Sequence, residues 1–297
     1  MRLDWRPDFL NGYGRKLNIG SMAFRLLVIA IYCFLLVAPL VVIYYSFSPG
    51  IVMKLPPDGW TLRWYGNFFA QQRLVEGVWT SALVASVSTI LALLVGIPAA
   101  YALSRSELPA RSALAAFFLS PLNLPGMVLA IGILMLVVSL IQPLINAPLV
   151  GKLPPLLAAH VIITVPWVIR SVSASLQTAD RAPEEAARGL GATPLRTFFL
   201  VTLPMIQPGV VAGAIFAFIV SFGNFALSLF FAGPGVITLP VAIFQYIDQF
   251  QDPTVAAGSS VVILLTTAIV VIADRIGNMS QGPTSQADAR PEKELTA

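Results

Sequence analysis

From Leu26 to Tyr45 the chain runs for twenty residues without a charged side chain, and comparable runs recur down its length. A helix rising about 1.5 Å per residue covers the roughly 30 Å of bilayer hydrocarbon in that distance. Hydrocarbon offers no water to free N–H and C=O groups, so a spanning segment must satisfy them internally, as a helix does. Further apolar runs occupy 78–103, 113–141, 154–176, 205–231 and 255–273, the third interrupted by Pro121, Pro125 and Gly126. Composition agrees, with 57% of residues hydrophobic and 11% charged, against about 25% charged in soluble domains. The expected fold class is all-α, a polytopic membrane protein with six transmembrane helices over 26–273 and polar tails at 1–25 and 274–297.

Six spans leave both termini on one side, and the basic residues say which. Of the eighteen Lys and Arg, fourteen fall on the termini's side: in the N-terminal tail, at Arg105 and Arg111, over 170–196 and in the C-terminal tail. The opposite side holds Lys54, Arg63, Arg73 and Lys152. The positive-inside rule then places both termini in the cytoplasm. The net charge of +4 records this asymmetry and not an affinity for nucleic acid. On the outer side, 46–77 collects Trp60, Trp64, Tyr65 and Phe68, which suit the membrane interface, and a short surface helix is expected near 62–69.

What the chain lacks narrows its chemistry. Cys33 is the only cysteine and His160 the only histidine, so neither an intramolecular disulfide nor a Cys/His metal cluster can be assembled. No GxxxxGK[ST] loop is present, so any ATP that drives the chain must be bound by another subunit. One histidine and acids kept out of the spans do not make a hydrolytic constellation, and an enzyme is not expected. An ion-coupled carrier keeps intramembrane charges for function, each at a cost of about 2.5–3.5 kcal/mol, and the spans here are nearly free of them. That carrier and a non-transporting membrane scaffold are the alternatives to an ATP-driven transporter. The polar interruptions are Ser120 and Asn123 in the third span and Ser221, Gly223 and Asn224 in the fifth. Asn123, Ser221 and Asn224 either line a translocation path or join helices by hydrogen bonds. His160 either packs with one hydrogen-bond partner or lines the same path.

The most polar segment between spans is 177–207, which reads DRAPEEAARGLGATPLRTFFLVTLPMIQP from Asp180 to Pro208. Pro183 fits a first helical turn, Glu184 and Glu185 favour the positive end of the helix dipole, and Gly189 or Gly191 can end the helix. Thr193 can cap a second helix with Pro194 at its first position. Leu195, Phe198 and Phe199 then fall on one apolar face of that helix, which ends near Pro204.

Within it Glu185, Ala186 and Ala187, then Gly191, then Val201, Leu203 and Pro204 resemble the EAA signature of permease subunits in binding-protein-dependent ABC importers. The spacing of that signature is EAA, three residues, G, nine residues, I, one residue, LP, and Val201 stands where Ile is usual. The six-span layout, WTLRWYGNFF at 60–69 and FAGPGVITLPVAIFQYI at 231–247 extend the resemblance over nearly the whole chain, to the spermidine/putrescine class. The resemblance implies the type I ABC importer permease (MetI-like) fold and a bacterial inner-membrane location. It also implies two copies of a cytoplasmic ATPase that bind ATP and Mg, a second and paralogous permease subunit, an extracytoplasmic binding protein and surrounding lipid. No cofactor in this chain and no nucleic acid are implied. It implies, further, that 177–207 seats on the ATPase as a coupling loop. Glu184, Glu185, Ala186 and Ala187 would lie at that surface and Gly191 would turn between the helices. Leu195 and Phe198 would fill the ATPase groove or pack back on the spans, and Leu203 and Pro204 would carry movement into the fifth span. The substrate implied is a small polar organic solute, a polyamine or a related amine or amino-acid derivative. One departure bears on it: the class often has acidic residues where this chain reads SFGNFALSLF, so Gly223 and Asn224 remove negative charge that would attract a polyamine.

Overall fold

The computed structural model describes residues 19–279 apart from 53, 55, 57, 107 and 108. The expected tails therefore lie outside the described residues over 1–18 and 280–297, as does Glu107. The order is α1 (Ile19–Ser46), α2 (Arg63–Ala70), α3 (Gln72–Arg105), α4 (Arg111–Leu119), α5 (Gly126–Leu136), α6 (Gln142–Ile145) and α7 (Leu153–Thr178). There follow α8 (Ala182–Gly189), α9 (Pro194–Thr197), α10 (Leu203–Met205), α11 (Gln207–Phe222), α12 (Phe225–Phe231), α13 (Leu239–Gln249) and α14 (Thr254–Met279). A 3₁₀ turn over Ser120–Asn123 separates α4 from α5, and π-turns over Val137–Ile141 and Phe198–Thr202 join α5 to α6 and α9 to α10. Among the described residues the only extended pairing is an isolated bridge between Gly233 and Val236.

Four helices are long and apolar enough to cross a bilayer alone: Phe24–Ser46, α3, the continuous stretch Gly126–Ile145 and α7. Pro194–Met205 and α11 pass together as a bent pair, and α14 carries the shorter apolar stretch Thr254–Ala268, so each of the six expected segments is helical. One is interrupted where expected and one differs in outline. The third, expected over about 113–141 with interruptions at Pro121, Pro125 and Gly126, breaks there: the prolines interrupt the helical hydrogen-bond ladder, so α4 stops at Leu119 and a new helix starts at Gly126. The fifth was expected to be continuous over 205–231, yet it breaks after Phe222, where Asn224 takes an extended conformation (φ −75°, ψ 109°) and starts α12. Both tails give up residues to helices as well, since α1 begins at Ile19 and α14 continues to Met279.

The centre is a bundle of α3, α7 and α11. Lipid tails are as apolar as leucine, so helices in a membrane associate through close packing of small residues more than through water exclusion. The sequence supplies those residues in register. Gly96 of α3 faces Val168 of α7, and Gly209, Gly213 and Ala217, spaced four apart along α11, form a stripe whose glycines lie against Val168, Ser171 and Ser175 of α7. Ala92, Ala100, Leu103, Val172 and Ile206 close the same cluster. A second cluster joins α5 and α12 to α3 and α7 through Ile133, Leu156 and Phe231. The expected surface helix forms as α2, but it is no loose interfacial helix. It buries Trp64 and Phe68, and the Trp64 Nε1–H donates to the Ser48 carbonyl at 2.7 Å. Outside this core α1 packs chiefly on α14 and leaves Leu26, Phe34 and Leu35 exposed along its outer face, with Cys33 exposed beside them.

Candidate functional site

The segment after α7 folds as its punctuation predicts. Asp180 Oδ1 accepts the Ala182 N–H at 3.1 Å, and Pro183 enters α8 in the first turn together with Glu184 and Glu185. The helix ends at Gly189, and Gly191, at φ +88°, reverses the chain with its N–H donating to the Arg188 carbonyl at 2.9 Å. Thr193 Oγ1 then accepts the Arg196 N–H at 3.4 Å and caps α9, which Pro194 opens. The second helix ends near Pro204 as expected: it runs through the π-turn to Met205, and the chain bends by 73° into α11 at Ile206, a fully buried residue of the central core.

The signature residues divide between two environments. Glu185 and Ala186 are exposed, Ala187 is half-buried, and Leu190 is 91% exposed. Glu184 is instead the one buried side chain of α8, within 3.1 Å of Arg105 Nη2 at the end of α3. Both partners are nearly closed off, at 9% and 6% side-chain exposure. The contact is an ion pair without an aligned hydrogen bond, for Glu184 Oε1 and Arg105 Nε have no hydrogen-bond partner. Arg105 Nη2 also donates to the Ala179 carbonyl at 3.3 Å, Arg181 Nη2 to the Ser104 carbonyl at 3.3 Å and Arg188 Nη2 to Tyr101 Oη at 3.1 Å. The expected single apolar face of the second helix is split, because Leu195 and Phe199 share one side at i,i+4 spacing while the adjacent Phe198 lies about 100° round the helix. Phe198 turns inward onto the Tyr101 ring, with centroids 5.2 Å apart, while Leu195, Phe199 and Leu200 are 71%, 58% and 74% exposed. Leu203 packs against the central core and Pro204 is exposed. Sequence reasoning did not single out Tyr101, Ser104 and Arg105. The available signal was their spacing, three and one residues apart on one helix face beside a charge that ends a long charge-free run.

The polar interruptions resolve differently. Ser221 is buried and bridges helices, its Oγ lying 2.9 Å from Ser88 Oγ of α3 and 2.8 Å from His160 Nδ1 of α7. The other ring nitrogen of His160 lies 3.3 Å from Ser228 Oγ of α12, so this histidine has two partners where one was expected. Ser221 and Ser228 stand on either side of the break in the fifth span, and one imidazole holds both. Asn224 neither crosses to another helix nor stands free, because its Oδ1 caps α12 by accepting the Leu227 N–H at 2.9 Å. Asn123 is exposed at the end of the 3₁₀ turn, with only a long 3.5 Å contact back to the Leu119 carbonyl. Beside the break lies an apolar cavity of about 480 Å³, lined by Phe222, Gly223, Phe225, Leu239, Ile243 and Phe244 among others. His160→Leu should leave the Ser228 hydroxyl without its ring partner, at about 1–3 kcal/mol for the unmet polar group. Melting of the purified chain in detergent should then fall by several degrees, while Ser120→Ala, at an exposed position, should leave it unchanged.

The arrangement has no cluster of three potential metal-ligating residues among the described residues. What it offers is a membrane bundle whose central helices all end at one polar, partly apolar and outward-facing loop. Comparison with known proteins gives the same picture. Residues 92–280 match the family model described as binding-protein-dependent transport system inner membrane component. The putrescine transport system permease protein PotI of Escherichia coli K12 is 30% identical over 250 residues, 84% of this chain and 88% of that protein. The molybdenum transport system permease protein ModB of Mycobacterium tuberculosis is 34% identical over 200 residues, 65% of this chain and 75% of that one. Among solved structures, a bacterial ABC transporter that imports the acidic polysaccharide alginate matches 89% of this chain and 98% of its own, with TM-score 0.66 and 15% identity. The MetNI methionine ABC transporter in an inward-facing form matches 70% and 95%, with TM-score 0.57 and 23% identity. At those identities the structures establish the fold, and the sequence matches establish the kinship. The chain belongs to the family of binding-protein-dependent transport system inner membrane components, the permease subunits of ABC importers.

Proposed function

We propose that α8 and α9 form the element through which a cytoplasmic ATPase works this permease. The observation that carries the reading is that Leu190, Leu195, Phe199 and Leu200 are all exposed on the same polar segment as Glu185 and Ala186, with nothing among the described residues covering them. Apolar side chains gathered this way mark an interaction surface. ATP and Mg are bound on the partner ATPase, since this chain has no phosphate loop. The assembly is completed by two ATPase copies, a second permease subunit that is a paralogue or another copy of this chain, and an extracytoplasmic binding protein, with both termini of this chain in the cytoplasm, a placement the basic-residue asymmetry supports. A thiol crosslinker applied to Ala186→Cys in a Cys33→Ser background should join this chain to the ATPase. Absence of that product in a complex active for uptake would remove the assignment.

The substrate is a small polar organic solute, and the break at Gly223–Asn224 is where this chain meets it. PotI, by its name, serves putrescine transport. The acidic residues usual in the polyamine class are missing at this break, and the described lining of the adjacent cavity is uncharged. An amine of lower charge or an amino-acid derivative therefore fits better than a polyamine. Asn224→Asp tests this, because aspartate keeps the oxygen that caps α12 while adding a negative charge. Assembly should be retained and uptake of a diamine should rise relative to that of a neutral amino acid. An unchanged ratio would place Asn224 outside the path, leaving it a cap alone.

A further inference from the structure

Resting on the reading that α8 faces the ATPase, we infer that Arg105 is a positioning residue that clamps α8 to α3, making the second span a lever of its own. Chain connectivity already ties the coupling loop to α7 through Ala179 and to α11 through the bend at Ile206. Nothing covalent near the loop ties it to α3. Among the described residues the polar and aromatic contacts that do so lie on the last turn of that helix: Tyr101 to Arg188 and Phe198, Ser104 to Arg181, and Arg105 to Glu184 and the Ala179 carbonyl. A carboxylate as the sole buried side chain of a short, mostly exposed helix is costly unless it is paired, and among the described residues Arg105 is its cationic partner within 4 Å. The far end of α3 is fastened as well. Ser81 Oγ accepts the Leu239 N–H at 2.8 Å where α13 begins, and Gly77 lies directly against Leu239. Ser88, between the two ends, reaches Ser221 at the break in the fifth span. At about 1.5 Å per residue, the 34 residues of α3 carry a displacement of α8 some 50 Å, to the opposite side of the membrane.

The test uses the assembled importer in proteoliposomes and reads solute taken up per ATP hydrolysed, a ratio that mere loss of protein does not move. Arg105→Gln should lower that ratio by about tenfold or more, while Arg105→Lys, which keeps the charge on Glu184, should stay within about threefold. A wild-type ratio in Arg105→Gln would overturn the clamp. Should that variant fail to assemble, a short thiol crosslinker joining Ser104→Cys to Arg181→Cys in the Cys33→Ser background decides instead. Uptake that survives the crosslink supports α8 and α3 moving as one body, whereas arrested uptake shows that α8 slides over α3 and overturns the proposal. The underlying reading fails separately, in the absence of an Ala186→Cys crosslink to the ATPase.

Discussion

Replacing Gly209 with leucine should leave almost no correctly packed permease. A methyl group placed on that residue would sit 2.5 Å from Ser175 Cβ and 2.8 Å from the Ser171 carbonyl oxygen, and no rotamer of Ser175 can move the carbonyl away. The backbones of α7 and α11 would have to separate, and with them Gly213, whose own added Cβ would lie 3.2 Å from Val168 Cα. Overpacking a core costs about 1–3 kcal/mol when side chains can yield, and here backbone must yield, so the upper end is the expectation. On the scale of about 2–4 °C per kcal/mol for a chain of this size, melting in detergent should drop on the order of 10 °C, with most of the protein eluting as aggregate. Gly132 supplies the control. It lies on an exposed face of α5 with nothing within 4 Å of an added Cβ, so Gly132→Ala should melt at or slightly above the parent. Equal tolerance at both positions would mean that the α7–α11 contact is not the centre of the fold.

That contact illustrates what a single sequence shows and what it hides. Charge-free runs of twenty residues announce spans because the bilayer penalises every alternative, so the helical, membrane-embedded class was legible. The segment between α7 and α11 was legible for a different reason: Pro183, Gly191, Thr193 and Pro194 each act locally, through φ preference or capping, and each does in the structure what its chemistry allows. Partners brought together from distant positions were not legible. Arg105 and Glu184 lie 79 positions apart, and no local rule joins them. Nor does any rule join His160 to Ser221 and Ser228. The break at Leu119–Gly126 was legible as well, because Pro121 and Pro125 each remove an N–H from the ladder. The break at Phe222–Asn224 was not: apolar content marks where a chain is buried in lipid but not where its hydrogen bonds stop, and no proline marks this one.

Gly191 separates conformation from charge in the loop between α8 and α9, which is proposed to face the ATPase. Its φ of +88° is reached by glycine without strain, tolerated by asparagine and aspartate, and costly for a β-branched residue. An added Cβ meets nothing within 4 Å, so any effect of substitution there comes through the turn or through whatever seats on it, not through crowding inside the chain. Gly191→Asn should therefore keep ATP-driven uptake close to the parent. Gly191→Val should lower it by about tenfold, since strain of about 1–2 kcal/mol per left-handed L-residue redirects α9 relative to α8. Gly191→Asp fits the turn as asparagine does, yet it adds a negative charge to the exposed surface proposed to face the ATPase. If that surface seats on the ATPase as proposed, uptake should fall well below that of Gly191→Asn while membrane insertion and yield match. Equal uptake in the asparagine and aspartate variants would show that no charge-sensitive partner seats at this turn, and normal uptake in the valine variant would show that the angle between α8 and α9 does not govern coupling.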